Sequence, residues 1–339
     1  MITLIEEKAT WSSLVAQCNL YDFYHTYEYH QLSVEKDRFR LIKFEFNNIL
    51  ILFPVVIRNI ADTEYFDITS VYGYPGPISN ISVEIIPPEV MKQFNQELAQ
   101  LFEDFKIITC FSRLHTLIDQ EKFFTELGVL KELNKTVFID LSLPPEVQRA
   151  QYGSSTKNQL NKLRKQFTVR RATSDKDLDA FIRIYYSTMD RLHAKKDYYF
   201  TKEYFKQLLA AKEFHVFILL AEKDEEVTAA SMFTVCNEFM QYHLSGTDDR
   251  FMSNTPMKLL LDEARIIAND LQLKSFNLGG GYSGGDDSLF IFKSSFSKKI
   301  SLFKVWTHIS HPTIHQNLVE KKFGSDIPQI NYFPLYRYF

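Results

Sequence analysis

The chain has 339 residues, with 39 Lys+Arg against 42 Asp+Glu for a formal charge of −3, and is 45% hydrophobic. At roughly 150 residues per domain this is a globular protein of about two domains, which excludes a disordered or collagen-like chain. The slight acidity excludes a protein that coats nucleic acid indiscriminately, so any contact with RNA or a membrane must come from a local patch.

Cys18, Cys110 and Cys236 form no CxxC pair, so neither a zinc knuckle nor a disulfide framework is expected. The N-terminus lacks the basic start and apolar core of a signal peptide. The longest apolar run, Ile49 to Ile57, falls short of the roughly 20 residues that span a bilayer. A soluble, cytoplasmic protein is expected.

A helix is predicted around Thr10–Cys18. Leu41 to Phe46, a turn at Asn47-Asn48 and the apolar run Ile49 to Ile57 read as a β-hairpin. Tyr65–Val71 reads as a strand leading into Tyr72-Gly73-Tyr74-Pro75-Gly76-Pro77. A helix follows Pro87-Pro88, and Lys106–Phe111 is a strand after it. The second half repeats the order: strand Phe214–Ala221, a polar turn, strand Val227–Cys236, strand Phe239–Gly246, a helix after Pro256 and strand Ser275–Leu278.

The two helices share an apolar spacing. Met91, Phe94, Leu98, Leu101, Phe102 and Phe105 fall at the same offsets as Met257, Leu260, Ala264, Ile267, Ala268 and Leu271. Each set is one helical face. Together with the common strand order, this points to two copies of one α/β unit, divided as residues 1–150 and 151–339.

Gln148–Ser174, between the halves, holds no acidic residue but carries Arg149, Lys157, Lys162, Arg164, Lys165, Arg170 and Arg171. Ser155–Phe167 is predicted as a helix with a basic face. Its Lys157, Lys162, Arg164 and Lys165 are candidates for binding tRNA or phosphate, against the plainer reading of a solvated surface helix. The next helix, Asp175–Arg191, ends on Arg191.

Gly279-Gly280-Gly281-Tyr282-Ser283-Gly284 fits G-x-G-x-x-G after a strand, but a dinucleotide site needs a helix next. Leu289 to Lys293 reads as a strand, so the glycines are taken to let the backbone approach a ligand closely. Pro312 breaks the alignment of His308, His311 and His315, and no metal site is expected. A hairpin ahead of a strand–helix unit raises the acyl-CoA N-acyltransferase (GNAT) fold. The turn before the central helix, Arg250 to Pro256, has no glycine, and Pro256 has no N–H to offer a pyrophosphate.

Several segments together carry a family resemblance. They are the basic helix from Thr156 to Lys165, Thr188 to Leu192, Tyr242 to Thr247, the helix after Pro256, Asn277 to Gly281, Leu289 to Phe296 and, earlier, Thr69 to Pro77. In these the chain resembles the Fem family (FemA/FemB/FemX-like) of non-ribosomal peptidyltransferases. The resemblance implies an α/β (α+β) fold of two tandem GNAT-like domains, with mixed β-sheets flanked by helices. It implies transfer of an aminoacyl group from aminoacyl-tRNA to an amine of a UDP-linked or lipid-linked muropeptide in cell-wall synthesis. Peripheral contact with the membrane surface is among the partners it allows. No cofactor beyond the donor is implied.

The alternatives are an N-acyltransferase using acyl-CoA and a non-catalytic binding module on the same fold. By motif position Lys293 is the expected catalytic residue, a cation for the developing oxyanion. Arg191 is the candidate grip on a substrate phosphate. Tyr72, Tyr74, Tyr242, Gly279, Gly280 and Gly281 are candidates for shaping the substrate site.

Overall fold

The computed structural model describes residues 1–34, 37–282 and 285–338. In chain order the elements are β1 (Ile2–Ile5), α1 (Lys8–Val15), α2 (Tyr27–Ser33), β2 (Arg38–Phe46), β3 (Ile49–Asn59), β4 (Phe66–Thr69), β5 (Ile78–Ser79), α3 (Pro88–Asp104), β6 (Ile107–Arg113) and β7 (Val129–Asp140). Then come α4 (Pro145–Ala150), α5 (Ser154–Leu163), β8 (Thr168–Arg171), α6 (Asp175–Arg191), α7 (Lys202–Leu209), β9 (His215–Lys223), β10 (Glu226–Cys236) and β11 (Phe239–Thr247). The chain continues with α8 (Met257–Asp270), β12 (Ser275–Gly280), α9 (Ser288–Ser294), β13 (Lys299–Ile309) and α10 (Pro312–Phe323).

Two compact units form. Unit 1 is Met1–Leu133 with Leu302–Phe339, and unit 2 is Asn134–Ser301. This differs from the linear division at residue 150, because β13 and α10 lie with the first half of the chain. Unit 1 orders its strands β1-β2-β3-β4-β6-β13. Its neighbours are antiparallel except for β4 and β6. Unit 2 orders its strands β8-β9-β10-β11-β12-β7, antiparallel except for β11 and β12. The two patterns match strand for strand. The closing strands cross the linear division at residue 150: β13, from the C-terminal part of the chain, completes unit 1, and β7, which precedes residue 150, completes unit 2.

The repeat extends to local detail. Both hairpins turn on two residues of positive φ, Asn47-Asn48 and Asp224-Glu225, as a two-residue turn between twisted strands requires. In α3, Met91, Phe94, Leu98 and Phe102 are buried; in α8, so are Met257, Leu260, Ala264 and Ala268. Each set packs on the sheet of its own unit. The last position of the shared stripe is an exception, since Phe105 and Leu271 are each nearly half exposed at the helix C-cap. The residue after each, Lys106 and Gln272, is left-handed, the usual way for a helix to end before a strand.

Leu289 to Lys293 is helix α9, not the strand expected from its run of apolar residues. Short apolar runs are ambiguous by periodicity. Here Asp287 decides the matter: its carboxylate accepts the Phe290 amide at 2.9 Å and caps the helix.

Candidate active site

In unit 2 the parallel strands β11 and β12 pair only through Phe239↔Ser275, Met240↔Phe276 and Gln241↔Asn277. Beyond these residues β11 stays on β10 as far as Thr247, and β12 stays on β7. The two strands therefore part, leaving a wedge between their C-terminal ends. Bulges mark the parting: the register shifts opposite Met232/Phe233 in β10, and between Asn277 and Gly279 in β12. Gly279 takes φ +76°, and its amide donates to Asn277 Oδ1 at 2.9 Å.

Lys293 enters this place from α9. It is 8% exposed, its Nζ donates to the Gly280 carbonyl at 2.7 Å, and it lies 5.6 Å from the centre of the Tyr242 ring. Burial pulls the amine from its ordinary 10.5 down to about 8, with Asp287 opposing the shift. Phe290 and Phe296 are buried nearby in the same core, and Phe292 packs on Phe296 at 5.7 Å. Tyr242 shares a 2.6 Å hydrogen bond with Ser245, and burial pushes its hydroxyl up to about 12.

The glycines serve close packing. A Cβ on Gly279 would sit 3.3 Å from Lys293 Nζ; one on Gly280 would sit 2.8 Å from the Lys135 carbonyl; one on Gly281 would meet the Asp287 carboxylate. That carboxylate also accepts the Tyr282 amide at 2.6 Å. A helix does follow the glycine run, but an aspartate caps it, which disfavours a pyrophosphate there. Ser283 and Gly284 of the G-x-G-x-x-G pattern lie outside the described residues.

The structure thus brings together Lys293, Tyr242, Gly279, Gly280 and Gly281. The other candidates lie elsewhere. Arg191 closes α6 and ion-pairs with Asp249, with weaker bonds to the Thr247 carbonyl and Thr188. Tyr72 and Tyr74 belong to unit 1: Tyr72 is 56% exposed, while Tyr74 is half-buried against Tyr24, His115 and Phe303.

The basic stretch finds its acids in distant sequence. Arg149 and Arg164 reach the buried Asp262, which also accepts from Tyr152 and Arg265. Arg170 pairs with Asp177 and Glu222, and Arg171 stacks on Phe217. Arg164, a candidate for phosphate binding in the sequence, thus holds the buried Asp262 carboxylate. Lys162 and Lys165 are exposed, and Lys157 donates to the Ala150 carbonyl at 3.0 Å.

Sequence reasoning missed Lys258, on the first turn of α8. It is 8% exposed, donates to Thr156 Oγ1 at 2.9 Å and Gln159 Oε1 at 2.6 Å, and lies 6.0 Å from the Phe292 ring. Burial lowers its amine pKa. A lysine amid an apolar helix stripe gives no signal in a hydrophobicity pattern. The turn ahead of α8 is closed on itself: the Arg250 and Phe251 amides bond to Asp248, and the Thr255 amide bonds to the Met252 carbonyl.

Residues 151–288 match the family model described as Acetyltransferase (GNAT) domain. Among solved structures, FemX is similar at a TM-score of 0.71 and 10% identity, over 93% of this chain and 99% of that one. L-PGS from Bacillus licheniformis is similar at 0.57 and 12% identity, over 96% and 98%. The C-terminal domain of a putative lysylphosphatidylglycerol synthetase from Agrobacterium fabrum is similar at 0.57 and 12%, over 93% and 98%. No curated protein sequence matches this one.

Proposed function

From a chain with a Fem-like fold, whose residues 151–288 match the acetyltransferase (GNAT) domain model, we propose that its activity is transfer of an aminoacyl group from aminoacyl-tRNA to an amine of a peptidoglycan precursor, UDP-linked or lipid-linked. The observation that carries this reading is Lys293, a buried ammonium set where β11 and β12 part, beside glycine backbone and an aromatic ring.

The donor ester is already activated, so no covalent nucleophile is needed. The acceptor amine attacks the ester carbonyl, a C–N bond forms, and the carbonyl oxygen becomes an oxyanion. The C–O bond to the ribose then breaks, and a proton from the attacking nitrogen ends on the departing hydroxyl. Lys293 supplies positive charge to the oxyanion or the leaving oxygen in a water-poor site, where it acts most strongly. Tyr242 and the Gly279–Gly281 backbone shape the place of the acyl group. Lys157, Lys162 and Lys165 form the basic contact with the tRNA, and Arg191 grips a phosphate by exchanging Asp249 for it.

The closed turn before α8 favours tRNA over acyl-CoA as donor. Its Arg250, Phe251 and Thr255 amides are occupied, and Pro256 has no N–H, so a pyrophosphate finds fewer donors. The test is incubation with a charged tRNA, and separately with acetyl-CoA, each beside a UDP-linked muropeptide. The acceptor should gain the mass of one aminoacyl residue with the tRNA alone. Acetylation of the acceptor, with no aminoacyl product, would favour the CoA reading.

A further inference from the structure

Helix α9 carries Lys293, yet it is only seven residues long. So short a helix does not persist in water by itself, and the place of Lys293 is set by whatever holds α9. Asp287 caps its first turn. Its far end is tied to the start of the basic helix α5. The Gly153 amide, at the N-cap of α5, donates to the Ser295 carbonyl at 2.9 Å. The Lys298 amide donates to Gln151 Oε1 at 3.1 Å, and the Tyr152 ring meets Phe296 edge-on at 5.1 Å.

Between these ends stands Phe292, half-buried and immediately before Lys293. Lys258 of α8 reaches its ring, with Nζ 6.0 Å from the centre, the range of a cation–π contact. The same ammonium donates to Thr156 and Gln159 of α5. One buried side chain therefore joins three helices of unit 2: its own α8, the basic helix α5 and the helix that carries Lys293.

Packing alone does not call for a lysine there. Met257, Leu259, Leu260 and Leu261 beside it are buried and apolar, so an apolar side chain would fill position 258. The oxygens of Thr156 and Gln159 are neutral, and Lys258 makes no ion pair among the described residues. A buried ammonium without a carboxylate is unfavourable against such a residue. What it adds is direction: two hydrogen bonds fix α5 against α8, and the charge holds the face of one ring of α9.

We propose that Lys258 is a positioning residue for Lys293: by holding Phe292 and α5 together it fixes the rotation of α9, and so the point at which the Lys293 ammonium meets the Gly280 carbonyl. Its effect on rate rests on the proposed role of Lys293 in transfer, but the placement itself can be measured without substrate. The other ionisable groups around Lys293 are Asp287 at the head of α9 and Tyr242 of β11, and the variants below leave both in place.

The reporter is the Lys293 amine, titrated by NMR in the full chain isotope-labelled at lysine Cε, with its resonance assigned by its loss in Lys293→Met. In the native chain it should titrate at about 8. Lys258→Met keeps the length of the stem; α9 loosens, water reaches Lys293, and the midpoint should rise by about one pH unit or more. Loss of the Lys258 charge alone acts in the same direction. Thr156→Val with Gln159→Met keeps that charge and removes its anchors, and the midpoint should rise there too. Thermal midpoints are measured alongside, and if the double variant unfolds, Gln159→Met takes its place. Single-turnover transfer at saturating charged tRNA and acceptor should slow by about tenfold or more in both variants, with its alkaline limb displaced upward together with the amine. If the native chain transfers no aminoacyl group, the functional reading fails and the amine titration alone decides on Lys258. An unchanged midpoint in Lys258→Met, a rise there without one in the anchor variant, or native-rate transfer by both variants overturns the proposal.

Discussion

Burial holds the Lys293 amine well below its ordinary value. With a value of about 8 against an ordinary 10.5, it loses its proton as pH rises through about 8. If its role is positive charge, aminoacyl transfer should decline above that pH. In Lys293→Arg, whose guanidinium stays charged, the decline should move to higher pH. A pH–rate profile that keeps its alkaline limb in this variant would assign the limb to another group. Gly279 supports the same site by backbone geometry. With φ +76° and a would-be Cβ 3.3 Å from Lys293 Nζ, Gly279→Ala should cost about 1–3 kcal/mol of stability in a denaturant titration. The family resemblance and the flanking Phe290, Phe292 and Phe296 made Lys293 legible in the sequence as a cation in a water-poor place, but not that a helix, α9, carries it. Lys258 had neither signal, because its partners Thr156 and Gln159 lie far away in sequence.

At the scale of elements, periodicity read well where a helix had one face on the sheet. Helix α6 runs from Asp175 to Arg191 as expected, and α3 and α8 bury matching positions. It failed for α9, where an apolar run carries no period and the cap of Asp287 decides. Around α5 the acid-free stretch is divided: Arg149, Arg164 and Arg170 find their acids across the fold in Asp262, Asp177 and Glu222, while Lys157, Lys162 and Lys165 have no such partner among the ion pairs of the described residues. Net charge along a segment does not reveal such pairings. Arg164→Gln should therefore destabilise the protein by about 1–3 kcal/mol, since it removes a charged partner from a buried carboxylate. Lys162→Gln and Lys165→Gln should stay within about 0.5 kcal/mol. Equal thermal midpoints for all three variants would contradict this division. Under the proposed function, the two lysine variants should weaken tRNA binding and flatten its salt dependence.

For the whole molecule, the repeat was visible in the order of strands, but the exchange of closing strands was not. β13 and β7 carry no label in their residues that assigns them to one half or the other; only long-range pairing does. A chain ending at Ser301 leaves unit 1 without β13, α10 and the bonds of Tyr336 and Arg337 to Asp67. Hydrogen exchange should then show unit 1 losing protection while α8 and β9–β11 keep theirs. Unit 1 also carries an acid limit. His25 and His30 are fully buried, and burial holds both below the ordinary 6.5, His30 at about 4. The unfolded chain takes up protons below pH 6.5 that the fold refuses, so stability present above 6.5 is lost as pH falls toward 4. Thermal midpoints across that range should fall, and His30→Gln should reduce the slope. The most direct measurement of the central claim is the single-turnover rate of aminoacyl transfer by Lys293→Met beside the native chain, at saturating charged tRNA and acceptor. Removing a preorganised cation should slow the chemical step by about 10²–10³-fold, with a fold that melts as one population near the native midpoint. A rate within a few-fold of native would contradict the claim and remove Lys293 from the chemistry.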